Sequence, residues 1–301
     1  LSTFVEEGLS MKVRQLLEDV IDFHIHPGPD PFARLADSYE IAWLARRYGM
    51  KAVVLKTQHY MGASTAIMLE RLIPGIRIFG GLCLENSVGG LNPRAVEVAI
   101  ACGAKVVWMP FLDSSWNYEL YLKGPQGIAT GTYNVAKVLV TQRADQRKRL
   151  KISKDGKVLP EVEEILQLIA AANIVACSGH MGPEDRRLFV TAAKKAGVKK
   201  IVLTHVNASW AFCPSDELKN YRDEGRVHFE FAYNPICPHI DNQSPSDLAA
   251  MIRAAGVENC VLCTDHGISQ AGKGIAWAHP TEAMAAFIGL LQLQGFTSGE
   301  I

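Results

Sequence analysis

The sequence predicts an α/β fold in which eight parallel strands close into a (β/α)8 TIM barrel with an insertion after strand four. Three observations carry this. Short apolar, β-branched-rich segments recur eight times, stretches with helical spacing separate them, and the rhythm breaks once, over residues 114–158. Strands covered by helices on both faces read as continuous apolar runs. An open doubly wound sheet is the alternative, but no glycine-rich phosphate fingerprint follows the first strand, where the chain reads His24-Ile25-His26-Pro27-Gly28.

In chain order, helix formers from Val13 to Val20 precede a strand at residues 21–26. In that strand Asp22, His24 and His26 alternate with Ile21, Phe23 and Ile25, a period of two that sends the three polar side chains to one face. A helix from Ser38 to Tyr48 follows, closed by Gly49, then a strand over Ala52 to Lys56. The unit repeats with a helix at 64–72, a strand at 77–84, a helix at 93–102 and a strand at 105–109. The excursion at 114–158 holds a basic segment, Arg143 to Lys151, and a hairpin turn at Lys154-Asp155-Gly156-Lys157. It reads as a lid over the barrel mouth or as a solvated surface excursion. Beyond it come helices at 160–172, 184–196, 215–223, 245–255 and 281–293, and strands at 174–178, 200–204, 227–231 and 260–264. All 301 residues then form a single domain.

Composition narrows the function classes. With 48% hydrophobic and 21% charged residues the chain is expected to bury one large core. Lys plus Arg and Asp plus Glu both number 31, which gives no electrostatic reason to expect nucleic acid or an anionic membrane as partner. No apolar run reaches the length of a membrane span. Leu1 to Ser10 lack a basic stretch followed by an apolar one, so no secretory signal is expected, and a chain opening on Leu1 is expected to be trimmed or incomplete there. Seven cysteines fall singly, Cys260 and Cys263 facing opposite sides of one strand, and this suits a reducing, cytoplasmic setting. The expected partner is a small-molecule substrate, and a homo-oligomer is compatible with the sequence.

In a barrel of parallel strands the carboxyl ends converge on one mouth, however distant in sequence. Strand one ends in His24 and His26, strand two in Lys56 and Gln58, strand three in Glu85, strand five in His180, strand six in His205, strand seven near Glu230 to Asn234, and strand eight in Asp265. Two histidines on one strand could be a hydrogen-bonded structural pair or ligands. Four histidines and an aspartate at four strand ends point to a divalent metal, because neutral imidazole and carboxylate are its natural donors.

These residues resemble the pattern of the amidohydrolase superfamily of metal-dependent hydrolases. The match lies in DFHIH (His24, His26), CSGHMGPED (His180), VLTHVN (His205) and LCTDHG (Asp265), and spans nearly the whole chain. The flanking sequence is closest to an uncharacterised branch. The resemblance implies one or two divalent ions, zinc first with manganese or iron as alternatives. It also implies hydrolysis of an amide, a lactone or other ester, or a phosphoester. Where many members carry a carboxylated lysine or a glutamate on strand four, this chain has Val106-Val107-Trp108-Met109-Pro110. Lys56, as a carbamate bridging two ions or as a cation for a substrate anion, is the candidate substitute, with Glu85 the other bridge. Asp265 is expected to move the proton, His205 to bind metal, a second ion (or His205 where one ion is bound) to polarise the substrate oxygen, and Tyr233 and Asn234 to contact the substrate, while His266 is a candidate to orient Asp265. Two rivals remain open: a single-metal decarboxylase or other lyase on the same barrel, and a barrel that binds metal or ligand without turnover.

Overall fold

The computed structural model describes residues 14–123, 149–238, 240–267 and 278–301. Its main sheet contains β1 (Ile21–Ile25), β2 (Ala52–Leu55), β3 (Arg77–Cys83), β4 (Val106–Trp108), β5 (Val175–Cys177), β6 (Ile201–Leu203), β7 (Val227–Ala232) and β8 (Cys260–Cys263). The strands lie in that order, each parallel to the next. The ends meet through two backbone bonds, His26 N–H to His266 O at 2.8 Å and Asp265 N–H to His24 O at 3.0 Å. The fold is therefore a (β/α)8 TIM barrel.

Helices α1 (Ser38–Arg47), α2 (Ala63–Leu72), α3 (Pro93–Ala101), α4 (Ser115–Lys123), α5 (Pro160–Ala172), α6 (Pro183–Lys195), α7 (Ser215–Glu224), α8 (Pro245–Ala255) and α9 (Pro280–Leu293) alternate with the strands. Local chemistry sets their starts. Asp37, Asn92 and Ser244 accept from backbone N–H groups of the first turns of α1, α3 and α8. Proline opens α3, α5, α6, α8 and α9, where a missing N–H costs nothing. Among the described residues no helix is long and apolar enough to cross a membrane.

Among the described residues two apolar clusters build the barrel. The larger lies between the sheet and the helices and includes Ile25, Leu55, Leu82, Leu166, Phe229 and Phe287. The smaller fills the barrel, with Val54, Cys83, Val106, Trp108, Phe111, Cys177 and Val202, and Phe23 and Phe79 packed against it. That second cluster is the floor on which the strand-end polar residues stand.

The alternation expected in strand one is interrupted. Asp22 pairs with Val53 and Ile25 with Leu55, so three steps on β1 match two on β2, the signature of a bulge. Phe23 consequently packs in the barrel core, and Asp22 parts from the histidines. Its carboxylate accepts from the backbone N–H of Thr264 (3.0 Å) and of His24 (3.2 Å) and from the Thr264 hydroxyl (2.6 Å). Burial pushes Asp22 up to about 7. It ties β1 to β8 rather than joining the polar set at the mouth.

Of the excursion, α4 and a short antiparallel ribbon, Ser153–Lys154 with Lys157–Val158, are described, and the ribbon turns at the expected Asp155-Gly156. Residues 124–148, which include most of the basic segment, lie outside the described residues.

Candidate metal centre

Four imidazoles and one carboxylate meet at the carboxyl-terminal mouth. His24 leaves β1 inward because of the bulge, and its ring centroid stands 5.0 Å from that of His26 and 4.7 Å from that of His205. His180 completes the group, 5.5 Å from His205. Each of the five residues is essentially buried. Asp265 Oδ1 lies 3.0 Å from His26 Nε2 and 3.3 Å from His24 Nε2, and its Oδ2 lies 3.8 Å from His205 Nε2.

The backbone is bent to make this meeting possible. His205 and Asp265 both take left-handed conformations, φ 51° and 52°, which non-glycine residues seldom adopt and which cost about 1–3 kcal/mol each. Gly179 turns the chain just before His180 with φ 62°, where a Cβ would lie 2.3 Å from the Met109 carbonyl oxygen. Only glycine fits there.

A second layer fixes the rings. Glu230 projects from β7 with Oε1 at 3.2 Å from His24 Nδ1 and 2.8 Å from His205 Nδ1. Burial alone would raise this carboxyl, yet the two imidazoles hold it at about 2. With their Nδ1 atoms turned to Glu230, His24 and His205 present Nε2 lone pairs to Asp265, itself an acceptor. Among the described residues His24 Nε2 and His180 Nε2 are buried with no hydrogen-bond partner. Lone pairs of a ring and a carboxylate facing at 3.3 Å repel unless a cation lies between them. In a tetrahedral shell with bonds of 2.0–2.1 Å, donor atoms stand about 3.3 Å apart, the separation seen here. His24, His26 and Asp265, whose ligand atoms converge, therefore form a donor set that fits a divalent ion.

Protonation states agree. Burial lowers the pKa of His24, and lowers those of His26 and His180 well below the usual value, leaving neutral rings suited to ligation. Burial would raise Asp265, but His205, His24 and His26 outweigh it and hold the carboxyl well below its usual range. A further convergent group is His24, His205, Glu230 and Cys263, in which both rings turn Nδ1 to the carboxylate. There the carboxylate already sits at hydrogen-bond distance from both rings, which makes it their support.

Lys56 follows β2 and is only 2% exposed, its ammonium 3.3 Å above the centroid of the Phe111 ring. Burial lowers its pKa, against the opposing influence of Cys83, Asp265 and Glu85. Glu85 is fully buried, and its carboxylate accepts from the backbone N–H groups of Phe111 (3.2 Å), Leu112 (2.9 Å) and Asp113 (2.9 Å) and from Gln58 (3.3 Å). It holds the loop after β4. Asn234 is buried, and its amide donates to the backbone carbonyl of Asp265 and, at 3.4 Å, to its carboxylate. The Tyr233 ring turns instead to His266 and to Phe287 of α9, with centroids at 5.5 Å and 5.7 Å. His59 pairs with Asp30, His279 caps α9, and His239 lies outside the described residues.

Glu230 carries a prediction. Glu230→Gln keeps the shape but replaces the buried carboxylate facing two rings with a neutral amide, whose oxygen is a weaker acceptor and carries no charge to raise their basicity. Affinity for zinc, measured by competition with a chelating dye, should fall about 10–100-fold. Unchanged affinity would show that the two rings need no such support.

No curated protein matches the chain. The model of a family described as "Family of unknown function (DUF6282)" matches residues 19–229. Among solved structures, an amidohydrolase from Pseudomonas aeruginosa aligns with a TM-score of 0.59 at 13% identity, over 97% of this chain and 94% of its own. The probable dipeptidase PvdM from the same organism aligns with a TM-score of 0.60 at 8% identity, over the same shares of each. Amidohydrolase 2 from Bifidobacterium longum subsp. infantis aligns at 0.50 and 16% identity, over 94% and 93%. At such identities the likeness is one of fold.

Proposed function

Because the chain belongs to the family of unknown function DUF6282, no reaction comes to it by membership, and we propose one from the site: a metal-dependent hydrolase acting on a small molecule. The observation that carries it is the facing of His24 Nε2 and Asp265 Oδ1, two acceptors at 3.3 Å in a buried cluster of imidazoles. His24, His26, His180, His205 and Asp265 would hold the ion, with Lys56 joining them if two are bound. Zinc is the first choice for this donor set, with manganese and iron behind it. When bound, the ion supplies Lewis acidity to a water and to the substrate's carbonyl or phosphoryl oxygen.

The protein's own groups do the rest. Asp265, held ionised by its imidazole neighbours, takes the proton from the attacking water and returns it to the leaving group. Asn234 anchors both its backbone and its carboxylate, so the base does not swing as it changes charge. His205, tied back by Glu230, stands across from Asp265 on the side where negative charge grows. The aromatic wall of Phe111 and Trp210, beside His180 and His205, keeps bulk water from these groups. All seven thiols are free, in keeping with a reducing compartment, and we place the protein in the cytoplasm.

Lys56 decides the metal count. Burial favours its neutral amine, which can add to carbon dioxide, forming an N–C bond and releasing one proton to give a carbamate. That anion supplies the bridging charge which β4 lacks. Lys56→Ala should then lose about half of its metal, and bicarbonate or short carboxylates should restore part of the activity. A full metal complement in this variant would sink the bridge.

The proposal as a whole is tested by elemental analysis of the purified protein joined to a screen of lactones, amides and phosphoesters. Bound divalent ion with turnover in one class is the expected result. One ion per chain, with carbon dioxide or another elimination product released instead, would favour the lyase. A metal-free protein would overturn both.

A further inference from the structure

Helix α4, the first element of the excursion after β4, is built into the site. Asn117, in its first turn, is fully buried, and its Oδ1 lies 3.0 Å from His180 Nδ1. The side-chain amide has a second end. Its Nδ2 is buried with no hydrogen-bond partner, though it carries two N–H donors. An unsatisfied buried donor costs about 1–3 kcal/mol, so one that persists beside a reactive cluster points to a ligand atom.

The surroundings hold Asn117 firmly. Its backbone N–H donates to Ser114 Oγ at 3.0 Å. The excursion is stitched at its base, Ser115 N–H to Leu150 O at 2.9 Å and Leu150 N–H to Asp113 O at 2.8 Å. Next to Asn117, the Trp116 indole donates to the Trp210 carbonyl at 3.0 Å, and its ring fills the space above Gly182, where a Cβ would lie 2.6 Å from it. Helix α4 thus fastens together the loop after β5, which carries His180, and the loop after β6, which follows His205.

We propose that Asn117 serves the site twice, its carbonyl oxygen fixing His180 as the Nδ1–H tautomer with Nε2 free to ligate, and its amide N–H groups donating to an oxygen of the bound substrate. This rests on the metal-hydrolase reading for its second half only. In the first role Asn117 is a positioning residue. In the second it touches substrate, and it favours substrates that place an acceptor oxygen on the His180 side of the scissile bond.

Two variants separate the roles. Asn117→Ala removes both ends of the amide, whereas Asn117→Asp keeps an acceptor for His180 and removes the donors. In the metal-free protein, long-range proton–nitrogen spectra should show His180 protonated at Nδ1 in wild type and in Asn117→Asp, and a shift toward the Nε2–H form in Asn117→Ala. Zinc affinity should fall about 10–100-fold in Asn117→Ala and stay within about threefold of wild type in Asn117→Asp. With zinc saturating, affinity for acetohydroxamate, a small oxygen-donor probe, should drop at least about tenfold in both variants, as expected for a lost buried hydrogen bond. An unchanged tautomer together with unchanged zinc affinity in Asn117→Ala would overturn the positioning role. Hydroxamate bound as tightly by Asn117→Asp as by wild type would overturn the donor role. Failure of wild type to bind zinc would instead overturn the metal-hydrolase reading, and the metal-free spectra would still judge the positioning.

Discussion

Asp265→Asn is expected to lower turnover about 10²–10⁴-fold, the range that loss of a general acid–base group produces, while the protein keeps most of its metal. The two outcomes separate because the carboxylate does two things with different chemical needs. Ligation needs an oxygen lone pair aimed between His24 and His26, and an amide oxygen can still provide one. Proton transfer needs a basic oxygen, and an amide has none. The neighbours of Asp265 do not take over, since Glu230 is engaged with two rings on their far side and Glu85 with the backbone of the loop after β4. Kinetics on the variant, with metal content measured on the same sample, check this. Full activity with full metal would remove Asp265 from the reaction.

His24→Ala should have the largest effect on metal content. That ring, like His205, faces Asp265 with one nitrogen and Glu230 with the other, but it stands nearer to the Asp265 carboxylate, 3.3 Å against 3.8 Å. Loss of an outer support costs about 10–100-fold in affinity, and loss of a ligand should exceed that. The metal-free protein should also become less stable by about 1–3 kcal/mol, because Glu230 is left buried with one partner fewer. His180→Ala offers the comparison: its support is a neutral amide, so metal is lost with a smaller stability penalty. Elemental analysis and thermal unfolding read both. Equal metal per chain in wild type and in both variants would refute the centre.

The barrel and the convergence of its strand ends were legible in the sequence because both follow from periodicity and from the parallel geometry that periodicity implies. The bulge in β1 was not. Strict alternation grouped Asp22 with His24 and His26, and only the pairing with Val53 and Leu55 shows the extra residue that sends Asp22 to Thr264. The supports of the rings were harder still. Glu230 had a faint signal, an acid inside the apolar run VHFEFA, with a hydrophobic neighbour on each side, but nothing in the sequence says which rings it serves. Asn117 had none: an asparagine in a helix normally faces water, and its meeting with His180 depends on how α4 docks. Tyr233 and Asn234 are adjacent at one strand end, yet one packs on Phe287 and the other clasps Asp265, a divergence set by the turn after β7.

The seam between β1 and β8 has a consequence for the order in which the molecule comes together. His26 bonds His266, His24 bonds Asp265 and Asp22 bonds Thr264, so the first strand and the chain beyond the last are laced through the site residues or their immediate neighbours. His26 and Asp265 are 239 positions apart. Contacts of such high sequence separation carry a large loop-closure entropy and are among the last that a chain can make. A ribosome would release the histidines of β1 long before their partners exist. Chemical competence then cannot arise in a partly assembled barrel, because the carboxylate that would serve as base arrives with the strand that shuts the ring.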